Sequence, residues 1–359
     1  MNGSELQLEQ VRRIIVRAPN WIGDVVMSLP ALRRLRQVFP NAYITVVTRT
    51  SSADLFIDDR SIDEVLRQDN VGWLSIWQHS RRWRSGNFDL ALLLQNAFQA
   101  AVVAFLARIP VRVGYGMERR GALLTHAIPP PPWKNDRHEI YYYLNLVHAV
   151  ERLVRGEADA DKAAPDFKLA ISKERRRAAF EIVRRYGFRD GAPLVLLCPG
   201  SINSRAKRWP AEYYATLANL LAEYGAQVAL IGSPSELEVS DRVLARTRHK
   251  PMILTGKTTV AEIVSLISIA DILITNDTGP AHIGSAAGTP TLVIFGPTNP
   301  DTTRPFAPAS EIIRHPPDCA PCMLRDCPID HRCMTAIQPD EVFARARHLL
   351  SRHPAEVIA

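Results

Sequence analysis

No run of about 18 apolar residues occurs in the chain, so a membrane-crossing helix is not expected. The first residues, MNGSELQLEQVRR, hold neither an apolar core nor a cleavage site, so no secretory leader is expected and the chain reads as cytosolic. The three-glycine dinucleotide fingerprint is missing. The first strand-to-helix turn carries only Gly23, which counts against a nicotinamide site there. No short tandem repeat is present. The basic residues form no long track. Lys and Arg are dispersed, with small clusters at Arg81-Arg82-Trp83-Arg84 and Arg119-Arg120. That fits a membrane surface or a phosphosugar better than an extended nucleic acid, although a solvated basic surface accounts for many of these residues.

What is present is a globular composition, 47% hydrophobic and 23% charged, with a formal net charge of +7 that favours anionic partners. A length of 359 residues suggests two domains.

The most informative stretch is ILITNDTGPAHIGSAAGTPTLVIFGP, residues 272–297. An apolar strand over 272–274 breaks at Asn276-Asp277-Thr278-Gly279-Pro280. A small-residue helix follows over 281–287, stopped by Gly288 and Pro290, and a second strand runs over 291–295. The loop lies at the carboxyl end of a strand and the amino end of a helix. Free N–H groups and the positive dipole end make such a place an anion site. Asp277 does not suit a phosphate and is assigned to a neutral, hydroxyl-bearing part of a ligand. An ordinary turn with Asp277 or Thr278 as helix cap explains the same residues.

The remainder alternates in the same way. RIIVRA at 13–18, a loop through Asp24, a helix that Pro30 starts or restarts, and YITVVT at 43–48 open a doubly wound sheet. Strands are expected at 64–66, 89–94 and 111–115, and helices at 73–84 and 138–153. The segment 156–165 reads as a linker. The second half has strands at 194–198, 227–231 and 252–254. Its helices are expected at 174–186, 211–224, from about 235, at 259–269, and from 339 to 350 or beyond. We therefore expect domains at 1–165 and 166–340, with a terminal helix in 341–359 that crosses back to the first domain.

Several residues suit chemistry. Asp24, at a strand's carboxyl end and a helix start, can take a proton from an acceptor hydroxyl; it can equally serve as a helix cap. Lys207 follows the loop CPGSINSRAKRWP, which holds Ser201 and is of the kind that binds phosphate oxygens; a plain surface cation is the alternative. Glu236, just past a strand end, suits the two hydroxyls of a ribose, or is an ordinary first-turn Glu. Cys319, Cys322, Cys327 and Cys333 are spaced C-x2-C-x4-C-x5-C, with His315 and His331 nearby. Structural metal, reduced packed thiols and disulfides all remain open, because the spacing is not that of a zinc ribbon. No metal ligand is assigned. Cys198 reads as an inert buried strand residue.

Together these motifs resemble glycosyltransferase family 9, which contains the lipopolysaccharide heptosyltransferases. APNWIGDVVMSLPALRRLR (18–36), KRWP (207–210) and NDTGPAHIGSAAGTPTLVIFGPTNP (276–300) match in the family's order, and CAPCMLRDCPIDHRCM is similar to the heptosyltransferase II branch. The resemblance implies a GT-B fold: two Rossmann-like α/β domains facing across a cleft, the first for the acceptor and the second for the nucleotide sugar. It implies inverting, metal-independent transfer of L-glycero-D-manno-heptose from ADP-heptose to the heptosyl-Kdo-lipid A inner core. It casts Asp24 as general base, Lys207 as stabiliser of the ADP leaving group, and Thr278 and Gly279 as backbone donors to the phosphates. Asp277 would hold heptose hydroxyls and Glu236 the ribose; His282 matches without a role. Some relatives have a Thr-rich loop where this chain has Ser201-Ile202-Asn203-Ser204.

No cofactor is expected beyond the donor substrate. The expected partners are the nucleotide sugar and the phosphorylated core acceptor, without nucleic acid, for a monomer at the inner face of the inner membrane. Membrane contact is expected through Trp83 and its neighbouring arginines. A related transferase with another acceptor, a sugar-nucleotide epimerase, and a non-catalytic nucleotide- or nucleic-acid-binding protein are the competing readings.

Overall fold

The computed structural model describes residues 11–69, 72–158 and 164–352. They fall into two compact units divided between Phe167 and Lys168.

In the first unit, β1 (Arg13–Arg17), α1 (Ile22–Val38), β2 (Tyr43–Thr48), the short α2 (Thr50–Ala53), β3 (Glu64–Arg67) and α3 (Trp73–Ser85) come first. They are followed by β4 (Leu90–Leu93), α4 (Phe98–Leu106), β5 (Val111–Tyr115), β6 (His126–Ile128) and α5 (Glu139–Arg155). The six strands are all parallel, in the order β3-β2-β1-β4-β5-β6. Because helices cover a parallel sheet, its central strands are apolar throughout rather than alternating, as Ile14, Ile15, Leu90 and Leu92 show by their full burial.

Pro30 does not start a helix. It sits inside the continuous α1 and is buried. A mid-helix proline costs about 3 kcal/mol or more. The buried face of α1, from Val25 to Val38 and packed on α5, outweighs that loss.

The second unit contains α6 (Lys173–Arg185), β7 (Leu194–Cys198), α7 (Ala211–Glu223), β8 (Gln227–Leu230), α8 (Leu237–Leu244), β9 (Met252–Ile253) and α9 (Val260–Ile269). It continues with β10 (Ile272–Asn276), α10 (Gly279–Ala287), β11 (Thr291–Ile294), the short α11 (Pro300–Thr303), β12 (Ser310–Ile313), the short α12 (Arg332–Thr335) and α13 (Pro339–Arg352). Its six strands are also parallel, ordered β12-β11-β10-β7-β8-β9. Numbered from its own first strand, this sheet has the same 3-2-1-4-5-6 order as the other, that of the dinucleotide-binding α/β fold.

α13 buries Val342, Ala346, Leu349 and Leu350 in the core of the second unit. Residues 353–359 of the terminal helix expected to cross to the first domain lie outside those described, as do residues 159–163 of the expected linker. Among the described residues no helix is long and apolar enough to cross a membrane.

Candidate active site

In an open parallel sheet of this order, ligands bind beyond the carboxyl ends of the strands where the order reverses. That point lies between β7 and β10 in the second unit and between β1 and β4 in the first.

In the second unit the reversal is tied by Asn276, the last residue of β10, which is fully buried. Its Nδ2 donates to the carbonyls of Pro199 (2.9 Å) and Gly200 (3.0 Å) beyond β7. Its Oδ1 accepts from Trp209 N and from the Tyr214 hydroxyl, both at 3.1 Å. One neutral amide thus fixes two strand-end loops, and nothing in the sequence reading singled it out.

The next residue, Asp277, is 3% exposed. Its Oδ2 accepts from Lys207 Nζ at 2.8 Å and from Thr298 Oγ1 at 2.7 Å. Lys207 Nζ also donates to the Asp277 carbonyl at 3.2 Å. The structure therefore brings together two residues that the sequence placed 70 positions apart. The carboxylate that seemed misplaced beside a phosphate is partnered by the lysine meant for that phosphate.

Thr278 occupies the cap position of α10 in extended backbone, but its side chain makes no capping bond. Its hydroxyl instead faces Thr275 Oγ1 and the Asn276 carbonyl, each at 3.3 Å. The amino end of α10, beginning at Gly279, is left without a side-chain cap, so its positive end faces the loop. His282 is buried in α10.

Across the same edge, Ser201 is buried and its carbonyl accepts from Arg208 Nε (3.1 Å) and Nη2 (3.0 Å). Glu236 closes a capping box: its Oε2 accepts from Ser233 N (2.8 Å) and Oγ (2.9 Å). The other oxygen lies against Gly200, where a Cβ would stand 1.9 Å from it. Glu236 thus meets the loop that carries Ser201.

The cysteine segment braces these loops. Ala206 N donates to the Arg325 carbonyl (2.9 Å), Arg205 pairs with Asp326 (2.6 Å), and Met323 N donates to the Pro297 carbonyl (2.9 Å). Cys319, Cys322, Cys327 and Cys333 are free thiols around one small cavity of about 20 Å³. Burial, then the other three thiols, push Cys333 up to about 11. His331 is bonded to the Ala206 carbonyl and His315 to Glu341. Among the described residues, no three His, Cys, Asp or Glu side chains are gathered in an arrangement that holds a metal. Burial also pushes up the Cys198 thiol, which leaves it inert. A larger cavity of about 540 Å³, around Pro305, Glu311 and Arg345, contains none of the expected site residues.

In the first unit, Asp24 is the acidic residue of the first turn of α1, half-buried. Its charge acts on the first residue of α5. Burial, then Asp24, raise Glu139 to about 7, with Lys134 opposing. The same two causes hold the Tyr143 phenol far above its usual range. Glu139 thus stands protonated or nearly so beside Asp24, at a helix amino end. Deeper in, the fully buried Arg120 ties the ends of β4 and β5. It donates to the carbonyls of Tyr115 (2.7 Å) and Gln95 and to Asn96 Oδ1 (3.0 Å).

Trp83 is buried, at 1% exposure, and so cannot touch a membrane. The exposed apolar residues of α3 are Trp73, Leu74 and Trp77, with Arg81 stacked 4.6 Å from the Trp77 ring.

Comparison with known proteins gives a coherent picture. The family model for glycosyltransferase family 9 (heptosyltransferase) matches residues 76–332. Lipopolysaccharide heptosyltransferase 2 of Salmonella typhimurium is 29% identical over 312 residues, covering 84% of this chain and 88% of that protein. The solved structure of Escherichia coli ADP-heptose lps heptosyltransferase II is 26% identical with a TM-score of 0.81, covering 95% of this chain and 99% of that one. A glycosyl transferase family 9 structure from Veillonella parvula also has a TM-score of 0.81, at 24% identity, covering 98% and 100%. The fold class is GT-B, with two Rossmann-like units, and the epimerase reading is not favoured.

Proposed function

The chain belongs to glycosyltransferase family 9, and from that premise we propose that it moves L-glycero-D-manno-heptose from ADP-heptose to the heptosyl-Kdo-lipid A inner core of lipopolysaccharide. The observation that carries the donor side is the Lys207–Asp277 pair beside the uncapped amino end of α10. A transferase without a divalent ion must offset pyrophosphate charge with cations and helix N–H groups, and both stand at this edge.

In this reading Asp24 accepts the proton of the acceptor hydroxyl as its oxygen bonds to the anomeric carbon. The anomeric C–O bond to ADP breaks on the opposite side, with inversion. ADP leaves with its new charge met by Lys207 and by the N–H groups of Thr278 and Gly279. Asp277 holds Lys207 in place and takes sugar hydroxyls, Ser201 lies along the phosphates, and Glu236 meets the ribose. No cofactor or catalytic metal enters, and the enzyme works as a monomer on the cytoplasmic side of the inner membrane.

The decisive assay is transfer from ADP-heptose to mono-heptosylated Kdo-lipid A, read by mass spectrometry. Asp24→Asn is expected to lower turnover by roughly 10²–10⁴ while ADP binding persists. Transfer surviving in that variant removes Asp24 from its role. Absence of transfer by the unaltered enzyme, with ADP bound, points to another acceptor.

Membrane contact is assigned to Trp73, Leu74 and Trp77, since interfacial aromatics beside arginines suit an anionic lipid surface. Trp73→Ser with Trp77→Ser should abolish cosedimentation with anionic liposomes; unchanged cosedimentation rejects the assignment.

A further inference from the structure

A second cavity, of about 190 Å³, lies wholly within the first unit. Its walls come from the carboxyl ends of four neighbouring strands: Arg17, the last residue of β1, and Asn20 beyond it, Arg49 after β2, Asp69 after β3, and Gln95 and Gln99 after β4. It therefore occupies the point of strand reversal, where this topology places a ligand.

This surface-opening cavity has an uneven charge balance. Arg17 is 6% exposed, and its guanidinium donates only to neutral groups: the carbonyls of Ala18 (3.3 Å) and Val47 (3.1 Å) and Asn20 Oδ1 (3.2 Å). Arg49 lies 5.8 Å from the Trp21 ring. Neither guanidinium comes within ion-pair distance of a carboxylate among the described residues. The one acid in the wall, Asp69, is engaged with the backbone N–H of Thr50 at 2.9 Å. Two cations thus face one carboxylate, and burial, then Arg49, push Arg17 down to about 10. Asp69, exposed at the rim, offsets these like charges only in part, and an incoming anion relieves the remainder.

Resting on the reaction proposed above, we propose that this cavity is the subsite for an anionic group of the acceptor glycan, either the carboxylate of an acidic sugar or a phosphate monoester. The guanidiniums of Arg17 and Arg49 receive the oxyanion, and the amides of Asn20, Gln95 and Gln99 receive neighbouring hydroxyls. From Arg17 at the end of β1 the chain runs through Asn20 directly into the first turn of α1, where Asp24 stands. An anchored anion would therefore fix the acceptor relative to its base.

Two measurements test this. Equilibrium dialysis of the unaltered enzyme against Kdo monosaccharide, its carboxyl-reduced form and inorganic phosphate reads the subsite without any transfer. Binding of Kdo but not the reduced form identifies the carboxylate, and competition by phosphate alone identifies the phosphate ester. Arg49→Gln, at a half-buried position, should weaken that binding and raise KM for the lipid acceptor roughly tenfold or more, with KM for ADP-heptose unchanged. No anion binding to the unaltered enzyme, or the same binding and the same acceptor KM in Arg49→Gln, overturns the subsite even if heptose is transferred. Anion binding that depends on Arg49 in an enzyme that transfers no heptose upholds the subsite and rejects the reaction.

Discussion

The two sheets share one strand order, yet their reversal points are finished differently. In the second unit the cation is answered from within, Lys207 by Asp277, and a neutral amide, Asn276, ties the loops. In the first unit Arg17 and Arg49 are left without a contacting carboxylate, and a buried guanidinium, that of Arg120, does the tying. Topology sets where a ligand goes, while the charge balance of the loops sets which ligand. A site closed by its own ion pair is preorganised in the free protein. A site with surplus charge is completed by its ligand.

The sharpest test of this contrast removes one cation from each point. Lys207→Ala is expected to cut turnover by roughly 10²–10³. It should also lower stability by about 1–3 kcal/mol, since Asp277 stays buried without its lysine. Arg49→Gln should leave the unfolding midpoint unchanged or slightly raised. Equal destabilisation by both would break the comparison. Next in size, Asn276→Ala strands two carbonyls and an N–H, while the Tyr214 hydroxyl keeps the Cys198 carbonyl, and should cost about 2–3 kcal/mol in urea unfolding; a loss below about 0.5 kcal/mol would mean the loops are held by other contacts. The smallest expected effect concerns protons. Glu139 is raised to about 7, so the folded chain holds its proton more tightly than the unfolded chain. The stability this lends is complete below pH 4.5 and lost as pH rises through 7. Glu139→Gln should remove that slope, and melting curves taken at pH 5 and 8 will show whether it does.

Much of this could be read from the chain because parallel strands buried on both faces appear as unbroken apolar runs, and LVLLC, DLALLL and ILITN are such runs. The motif residues Lys207, Asp277 and Thr278 were identifiable, but their pairing was not, since it joins loops from different strands. β6 and β12 were missed because these edge strands are short and only partly buried. Pro30 misled because local backbone preference yielded to packing. Trp83 misled because residues four apart share a helix face, as Trp73 and Trp77 do. Six further positions turn the chain about 600°, which carries Trp83 round to the buried side. Asn276, an uncharged residue beside a conspicuous aspartate, gave no signal except that a polar side chain ends a buried strand.

The contact between Gly200 and Glu236 has a consequence for how this site can change over time. A side chain at Gly200 meets the Glu236 carboxylate, so a replacement there requires Glu236 to move from its bonds to Ser233. Shortening Glu236 first would open room but undo the bonds to Ser233. The two positions are therefore epistatic: the cost of a change at one depends on the residue at the other. A library that randomises one codon at a time would find this loop costly to change, whereas one that varies both together can reach a differently shaped loop.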